Sequence, residues 1–344
     1  MINVGLIGFG FMGRVHYSCY GNLKNARVVS VCDKDIKRLK GTESVQGNIE
    51  TGQNVVNLSG VKTTINPNNI FKDSSIQMVD LSCPTFLHCK HTVKAAESGK
   101  NVLCEKPMAR NVKEAQRMID ACKANNVKIM VAHVLRFWPE YLFLKDAVHS
   151  RGFGTLLSVV FTRLGSTPRW SWKNWILNPK LGGEAILDFH IHDVDTALWL
   201  LGNPSSVFAQ GKVKESIGEG INYVVAHYLY SNGPVCTLEG GWITEGGYPF
   251  TMAFLATFEN AVLMYNCNNK PTLCLYEKDK EPRYPQIPVV NAYQAEIEYF
   301  LNCIETNKQI EEVPPETSLE AVRIVRLESS AIKKGKVVKV RSIK

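Results

Sequence analysis

Short apolar runs alternate with amphipathic stretches through the first 134 residues of the chain. The amphipathic stretches have helical spacing, and continuous apolar strands joined by helices indicate a parallel sheet that helices cover on both faces. Residues 41–69 break this pattern because they are rich in Gly, Asn, Gln and Thr, and they are predicted as mostly loop. The predicted strands cover residues 3–7, 27–33, 78–83, 101–104 and 127–132, and the predicted helices cover residues 12–24, 88–98 and 111–125.

The pattern changes after residue 134. A connecting helix is predicted to begin near Glu140, and β-rich runs follow it, with the turn signals SNGP at 231–234 and ENA at 259–261. Such turns between adjacent strands predict antiparallel hairpins in a broad sheet. The predicted strands cover residues 155–164, 207–213, 222–230, 235–243, 251–258 and 261–267, and helices near 291–305 and 317–333 precede a last strand.

A glycine motif lies in the first turn between strand and helix, at Gly8, Gly10 and Gly13, and Asp33 ends the second strand twenty residues later. Gly8 permits a tight turn, Gly10 lets the backbone approach a pyrophosphate, and Gly13 permits close packing of the helix on the strand. The carboxylate of Asp33 would accept hydrogen bonds from ribose hydroxyls. The motif therefore predicts a dinucleotide-binding site; a structural turn without ligand is the alternative. The predicted cofactor contacts in the turn are Gly8, Phe9, Gly10, Phe11, Met12 and Gly13.

Asp33 also bears on the choice of cofactor. A carboxylate at this position repels a 2′-phosphate, so NAD is predicted in preference to NADP. Lys34 and Arg38 lie close by in the sequence and weaken that argument, so NADP stays possible. The predicted fold class is α/β, with an N-terminal Rossmann domain over residues 1–134 and a C-terminal α/β domain with a large, mostly antiparallel open sheet over residues 135–344.

Lys106 stands directly before Pro107, after an apolar strand. Proline restricts the preceding residue to extended backbone, so Lys106 is held in one direction. Ligands of parallel sheets bind outside the carboxyl ends of the strands, which places this lysine on the predicted cofactor side. The alternative is a surface lysine that pairs with Glu105.

The segment 182–202 has helical spacing between glycines and carries Asp188, His190, His192 and Asp195. Asp188 and His192 are four residues apart and share a helix face, where an aspartate can fix the tautomer of a histidine and raise its basicity. The alternative is a helix N-terminal acid beside a core histidine. A metal site of Asp188, His190 and His192 is conceivable, but two histidines two residues apart on a helix point away from each other, so no metal is predicted.

Composition excludes few functions. The chain has 344 residues, 45% of them hydrophobic and 21% charged, and a formal net charge of +8 with a basic end, KKGKVVKVRSIK. No basic stretch has interleaved aromatic residues, so neither a nucleic acid nor a membrane is expected as a partner. Ten cysteines without a CxxC pair, several of them in apolar strands, indicate reduced thiols. No signal peptide and no run of about 20 apolar residues is visible, and a cytoplasmic location is expected.

Three motifs together, GFGFMG at 8–13, CEKP at 104–107 and LDFHIHDVD at 187–195, resemble the Gfo/Idh/MocA family of glucose–fructose oxidoreductase, inositol dehydrogenase and rhizopine-catabolism relatives. The resemblance implies a Rossmann domain, an α/β domain that packs in homodimers or homotetramers, and hydride transfer between NAD(P) and a secondary alcohol or ketone of a sugar, inositol or related polyol. It implies catalytic roles for Lys106, Asp188 and His192. It also implies that the segments around CPTFLH and CEKP lie beside the cofactor; the residues concerned are Pro84, Thr85, His88, Glu105 and Lys106.

The resemblance implies that His192 removes the hydroxyl proton while Lys106, as an ammonium, stabilises the alkoxide and Asp188 orients His192. Substrate contacts are expected from Trp170, Trp172 and Trp175, because aromatic faces suit a sugar ring, although packing explains these residues equally well. Arg136 is expected either to cap the pocket or to hold the domains together. His190, where many relatives have glycine, is expected to narrow the pocket or touch substrate. The alternatives are a glycoside-processing enzyme with transient NAD oxidation, a non-catalytic NAD-dependent sensor and a metal-dependent enzyme.

Overall fold

The chain is described by a computed structural model, which covers residues 1–41, 45, 47, 56–214, 217, 219–244 and 246–341. These residues form two compact units. The first contains Met1–Val134 and Asn291–Leu319, and the second contains Leu135–Val290 and Glu320–Lys344. The sequence predicted all of 135–344 as one domain, whereas residues 291–319 belong to the first unit, because the helix Ala292–Glu305 packs on the helix Phe11–Gly21.

The helices and strands are numbered in chain order. The α-helices are α1 (Phe11–Gly21), α2 (Asn68–Lys72), α3 (His88–Glu97), α4 (Val112–Ala124), α5 (Pro139–Ser150), α6 (Ile191–Leu201), α7 (Ala292–Glu305) and α8 (Pro315–Lys334). The strands are β1 (Ile2–Ile7), β2 (Ala26–Cys32), β3 (Lys62–Thr64), β4 (Met78–Leu81), β5 (Asn101–Glu105), β6 (Ile129–Ala132), β7 (Leu156–Ser166), β8 (Ser206–Lys212), β9 (Tyr223–Leu229), β10 (Val235–Thr244), β11 (Thr251–Phe258), β12 (Ala261–Asn266), β13 (Leu273–Glu277) and β14 (Val338–Lys339).

The sheet of the first unit has the order β3-β2-β1-β4-β5-β6, and all its pairings are parallel. Leu6, Met78, Val79 and Leu103 are fully buried, which is what a parallel sheet covered on both faces requires. Each such side chain contributes about 1.5–3 kcal/mol through its burial. The carboxyl ends of β1, β4 and β5 therefore lie next to one another, and the segments that follow them are the glycine turn, CPTFLH and the lysine turn.

The sheet of the second unit has the order β13-β12-β11-β7-β10-β9-β8-β14. The long strand β7 runs parallel to β10 and antiparallel to β11, and the remaining pairings are antiparallel. Tyr141 of α5 packs on Phe254 and Tyr265 with ring centroids 5.3 and 5.7 Å away. The predicted mostly antiparallel open sheet is thus confirmed.

Several short or irregular elements differ from the sequence-based prediction. Strands β3 and β13 and helix α2 were not predicted, because each is short and lacks a clear apolar period. Much of the segment 41–69, which the sequence predicted as mostly loop, lies outside the described residues, namely 42–44, 46 and 48–55. Among the helices of the described chain, none combines the length and apolar character that crossing a membrane needs.

Candidate active site

The glycine turn between β1 and α1 has the geometry that the motif predicted. Gly8 has φ = 98°, and a Cβ there would lie 2.5 Å from the carbonyl oxygen of Ser82. A Cβ on Gly13 would lie 2.0 Å from the carbonyl oxygen of Gly8, so the third glycine permits the close approach of α1 to the turn. Gly10 differs, because the nearest atom to its Cβ position is Nη1 of Arg38 at 3.4 Å. Among the described residues, no backbone atom crowds Gly10, so a ligand can approach its backbone as far as these residues are concerned.

The carboxylate of Asp33 accepts a backbone hydrogen bond from this turn. Its Oδ2 accepts the backbone N–H of Phe9 at 2.7 Å, and its Oδ1 accepts that of Asp35 at 2.8 Å. The Arg38 guanidinium lies near the same carboxylate, with Nη1 3.6 Å from Oδ2 of Asp33. A fixed acidic group beside an open glycine at a helix N-terminus fits the ribose and pyrophosphate of a dinucleotide. The arginine supplies a positive charge at the position where a 2′-phosphate would need one.

The other predicted contacts of the turn have different surroundings. The ring of Phe9 is fully buried and packs with Leu6 and Val31, so its backbone is the part that faces the turn. Phe11 and Met12 are half-buried in the first turn of α1. Their contact with a cofactor stays a prediction.

Lys106 follows β5 directly, and its side chain is half-buried. The backbone N–H of Lys106 donates to Oε2 of Glu105 at 3.0 Å, and the Lys106–Pro107 peptide is cis. Glu105 is therefore a buried acceptor for the lysine's own backbone, and its surroundings differ from those of the surface ion pair that was the alternative reading.

His88 joins the two turns that follow β4 and β5. Its Nδ1 lies 2.9 Å from the carbonyl oxygen of Pro107, and its Nε2 lies 2.8 Å from that of Cys83. The ring is buried, and burial lowers the pKa of His88, so the neutral form donates to one of the two carbonyls. Thr85 is also buried, whereas Pro84 is half-buried. The contacts of His88 indicate that it supports the turns, and direct contact with a cofactor stays a prediction for these three residues.

The segment of Asp188 and His192 is an interrupted helix. Residues Ala185–Phe189 form a π-helical turn, in which the N–H of His190 donates to the carbonyl oxygen of Ala185 at 2.8 Å, and α6 begins at Ile191. The sequence predicted one continuous helix, which is wrong at this turn. Single π-turns are frequent at functional sites. Asp188 is 8% exposed and His192 is half-buried, with its Nδ1 shielded from solvent.

His190 lies in the core of the second unit. Its ring is 0% exposed, and its Nε2 lies 3.3 Å from Oε1 of Glu328, which also accepts from the hydroxyl of Tyr228 at 2.8 Å. A Cβ on Gly240 would lie 2.6 Å from Nδ1 of His190, so the imidazole packs on the bare backbone of β10. These contacts account for His190 as a packing residue, and its predicted contact with substrate gains no support from them.

Two buried arginines hold α6. Arg136 forms a bidentate pair with Asp195, with Nε 2.9 Å from Oδ2 and Nη2 2.6 Å from Oδ1. Arg163 of β7 pairs in the same way with Asp193, at 2.8 and 3.0 Å. Burial lowers the pKa of Arg163, but the carboxylate of Asp193 outweighs it, and the pKa is raised. The helix that carries His192 is thus fixed by charge pairs at its start and middle.

The three tryptophans lie in a half-buried segment beside the π-turn. Leu177 at the end of this segment packs with Ala185 and Phe189. A Cβ on Gly183 would lie 2.2 Å from the carbonyl oxygen of Trp175, so the tryptophan segment lies directly on the start of the π-turn. The ammonium of Lys173 lies 5.0 Å from the ring centre of Trp172. Trp170 and Trp172 are both half-buried, so part of each ring is exposed.

Other polar residues of the sheet core were missed from the sequence. His16 on α1 lies between the carboxylates of Asp80 and Glu105, and Glu184 before the π-turn pairs with Arg326 at 2.8 Å. The signal was a lone charge inside an apolar run, as at Asp80 in MVDL and Arg163 in VVFTRL. Such a charge predicts a buried partner, but the sequence does not say which residue it is.

The described ranges contain neither a cluster of metal ligands nor a disulfide. No three His, Cys, Asp or Glu side chains are grouped there as metal ligands would be. All ten cysteines are free, and each is buried except Cys267, which is half-buried. Burial raises the pKa of Cys122 to about 12, which makes a reactive thiolate unfavourable at this position.

Comparison with known proteins identifies the family. Residues 2–133 match the model of an oxidoreductase family with an NAD-binding Rossmann fold, and residues 141–261 match the model of the GFO/IDH/MocA C-terminal domain. The chain is 32% identical to levoglucosan dehydrogenase of Pseudarthrobacter phenanthrenivorans over 212 residues, which are 60% of this chain and 53% of the relative. It is 26% identical to 2,7-anhydro-N-acetylneuraminate hydratase of Escherichia coli over 255 residues, which are 70% of this chain and 62% of the relative.

The fold is similar over nearly the whole chain to a solved structure of levoglucosan dehydrogenase in complex with NADH and levoglucosan. The TM-score is 0.83 at 21% identity, and the match covers 99% of this chain and 100% of the other. The chain spans less than two thirds of the length of the two curated relatives named above. The two family models together match more than half of the chain, residues 2–133 and 141–261, and the chain therefore belongs to the Gfo/Idh/MocA family of NAD-binding oxidoreductases.

Proposed function

We propose that the protein is an NAD-dependent dehydrogenase that oxidises a secondary alcohol of a sugar, inositol or related polyol to the ketone, or reduces the ketone. The observation that carries the proposal is that both family models match a chain that keeps the open glycine turn, Asp33, Lys106, Asp188 and His192. A non-catalytic sensor has no need of the lysine and the histidine.

The residues of the first unit fit the cofactor. The N-terminus of α1 and the open backbone at Gly10 would hold the pyrophosphate, and Asp33 would accept from the adenosine ribose hydroxyls. When bound, NAD accepts the hydride from the carbinol carbon. Arg38 beside Asp33 also offers a partner for a 2′-phosphate, so NADP is proposed as a weaker second cofactor.

The proton chemistry belongs to the chain itself. Because Nδ1 of His192 is shielded, Nε2 is the nitrogen that we assign to the hydroxyl proton. The ammonium of Lys106 donates to the same oxygen and stabilises its developing negative charge, and Asp188 balances the imidazolium. In the reduction direction, His192 returns the proton to the ketone oxygen.

The tryptophan segment beside the π-turn supports a cyclic substrate. Aromatic faces bind the CH faces of a sugar ring, and Trp170 and Trp172 keep part of their surface exposed. The relative named levoglucosan dehydrogenase supports the same substrate class. The mostly buried free thiols support a cytoplasmic location, and the exposed Leu157, Val160 and Leu255 on the second sheet support a homodimer or homotetramer.

The test is a cofactor-reduction screen with NAD and NADP side by side. The substrates are levoglucosan, inositols, aldoses and simple glycosides, and the variants Lys106→Met and His192→Asn follow on the best substrate. We expect each variant to bind NADH normally and to lose about 10²–10⁴-fold in kcat. The controls are Lys113→Met and His227→Asn, which change exposed residues of the same types. Equal turnover in the variants and their controls would reject the assignment.

A second candidate is transient oxidation without net NADH formation, since one relative is named a hydratase. The same screen distinguishes it when product is followed by mass spectrometry. Conversion of a glycoside or anhydrosugar in the presence of NAD, with no net rise in the absorbance of NADH at 340 nm, would support this candidate. Stoichiometric NADH would support the dehydrogenase.

A further inference from the structure

A buried chain of polar side chains joins α1 to the turn that carries Lys106. His16 lies on α1, three residues after Gly13, and is 0% exposed. Its Nδ1 lies 2.9 Å from Oδ2 of Asp80, and its Nε2 lies 3.2 Å from Oε1 of Glu105 in an ion-pair contact. The contact of Nδ1 with Asp80 is a hydrogen bond, whereas that of Nε2 with Glu105 is an ion-pair contact without hydrogen-bond geometry. Only the imidazolium has a proton on each nitrogen, so only the charged form is attracted to both carboxylates.

At one end of this row of polar side chains, Asp80 has further hydrogen-bond donors. Its Oδ2 also accepts from the hydroxyl of Tyr20 at 2.9 Å, and its Oδ1 accepts from the hydroxyl of Ser82 at 2.8 Å. Loss of His16 would therefore leave Asp80 with two donors. The aspartate does not depend on His16 for its position.

The Glu105 end depends on His16 more strongly. Within the described part of the chain, the partners of this carboxylate are His16 at Oε1 and the backbone N–H of Lys106 at Oε2. Glu105 is 7% exposed, so in the intact protein bulk solvent contributes little to holding this carboxylate. One carboxylate thus links the helix of the glycine turn to the backbone of the lysine.

The charges around His16 favour its protonated form. Burial lowers the pKa of His16, but Asp80 and Glu105 outweigh it, and the pKa is raised well above its usual range. From α7, the buried Glu296 faces the same cluster, and burial raises its pKa well above its usual range, so its neutral form is favoured. Tyr20 and Cys19 of α1 are neutral as well, because burial raises the pKa of both.

We propose that His16 is a positioning residue for Lys106: it holds the carboxylate of Glu105, which holds the backbone N–H of Lys106 at a fixed place relative to the glycine turn. This inference rests on the proposed function, in which Lys106 contacts the substrate. It assigns to the first helix a task in turnover that is separate from cofactor binding.

Two amide variants separate the contact of His16 with Asp80 from its contact with Glu105. The amide nitrogen of His16→Asn can replace Nδ1 toward Asp80 but is too short to reach Glu105, whereas that of His16→Gln extends toward the position of Nε2. Tyr20→Phe is the control, since it removes a hydrogen bond from the same network without touching Glu105. We expect kcat to fall about 100-fold in His16→Asn, with the Kd for NADH and the KM changed less than about threefold. We expect His16→Gln and Tyr20→Phe to keep most of the turnover.

An activity-free measurement makes the test independent of the substrate. Hydrogen exchange at the Lys106 amide should accelerate at least tenfold in His16→Asn and stay near wild type in His16→Gln and Tyr20→Phe. The double variant His16→Asn/Glu105→Gln removes the unpaired buried charge and should show the same fast exchange even if the single variant folds poorly. Equal kcat and equal Lys106 exchange in His16→Asn and Tyr20→Phe would overturn the proposal.

Failure of the proposed function has a different signature. If Lys106→Met turns over as fast as Lys113→Met, the catalytic role of Lys106 fails, whatever the exchange data show. If Lys106→Met is inactive while His16→Asn is fully active, only the positioning role of His16 fails.

Discussion

Arg136 and Asp195 form a bidentate ion pair that is almost completely withdrawn from solvent, with side chains 2% and 1% exposed. The sequence left two roles open for Arg136, a cap on the substrate pocket or a link between domains. The pair gives it a third, because Asp195 lies on α6 one turn after His192. Arg136 thereby anchors the helix of the proposed base.

Removal of Arg136 should destabilise the second unit. Arg136→Met leaves the buried Asp195 carboxylate without this bidentate partner, and breaking a buried pair costs about 3–5 kcal/mol. Arg110→Met is the control, because its pair with Glu114 lies at the surface and is worth at most about 1 kcal/mol. Urea unfolding measures both. A loss in Arg136→Met no larger than in the control, together with a raised KM, would point to substrate binding instead.

Glu296→Gln should make the folded protein more stable than the wild type, by an amount that grows as the pH rises. Burial raises the folded-state pKa of Glu296 above its ordinary value of 4.5, with smaller contributions from His16, Glu105 and Asp80. Above pH 4.5 the unfolded chain therefore releases a proton that the folded chain keeps, and stability falls by up to about 1.4 kcal/mol per pH unit until the folded pKa is reached. The variant lacks this loss.

Unfolding free energies from pH 5 to 8 check the prediction. The advantage of Glu296→Gln over the wild type should grow with pH, while Glu298→Gln, which changes the exposed neighbour on α7, should show a constant difference. Parallel pH curves for Glu296→Gln and the wild type would contradict the raised pKa.

Gly10→Ala should separate folding from cofactor binding. Gly10 has φ = –77°, which alanine adopts, and among the described residues its nearest neighbour is an arginine side chain. We therefore expect a stability change below about 1 kcal/mol but at least a tenfold weaker Kd for NADH. Gly8→Ala is the contrasting variant, because its positive φ and the nearby Ser82 carbonyl should destabilise the apo protein itself. Normal NADH binding by Gly10→Ala would argue against the proposed cofactor site.

Asp33→Asn should reduce the preference for NAD over NADP. The asparagine keeps an acceptor for the Phe9 N–H but removes the negative charge that repels a 2′-phosphate, while Arg38 stays in place. We expect the ratio of kcat/KM with NAD to kcat/KM with NADP to fall at least tenfold. Adding Arg38→Ala should reverse the gain in NADP use, and an unchanged ratio in both variants would place the determinant elsewhere.

The class of both sheets, parallel in the first unit and mostly antiparallel in the second, could be predicted from the sequence because most of their strands are apolar runs. Leu6, Val79 and Leu103 face the core whatever their distant partners are, so local pattern suffices. The glycine turn was equally predictable, since the positive φ of Gly8 and the close approach of Gly13 to the carbonyl oxygen of Gly8 arise from backbone geometry within a few residues.

The pairing of buried charges could not be predicted in this way. His16 meets Asp80 across 64 residues, and Arg136 meets Asp195 across 59, and no local pattern carries that information. The π-turn before α6 was hidden for a related reason. One extra residue per turn at Ala185–Phe189 leaves the apolar spacing nearly unchanged, so the segment resembled a regular helix.

The packing of His190 on Gly240 constrains how this protein and its relatives can exchange sequence. A side chain at position 240 collides with the imidazole, so any such substitution is tolerated only after position 190 has become small. A variant of this chain with glycine at 190 would be free of this restriction and could accept side chains at 240 that the present chain cannot. A graft of a foreign strand at β10 that brings a side chain to position 240 will therefore need a small residue at position 190 as well.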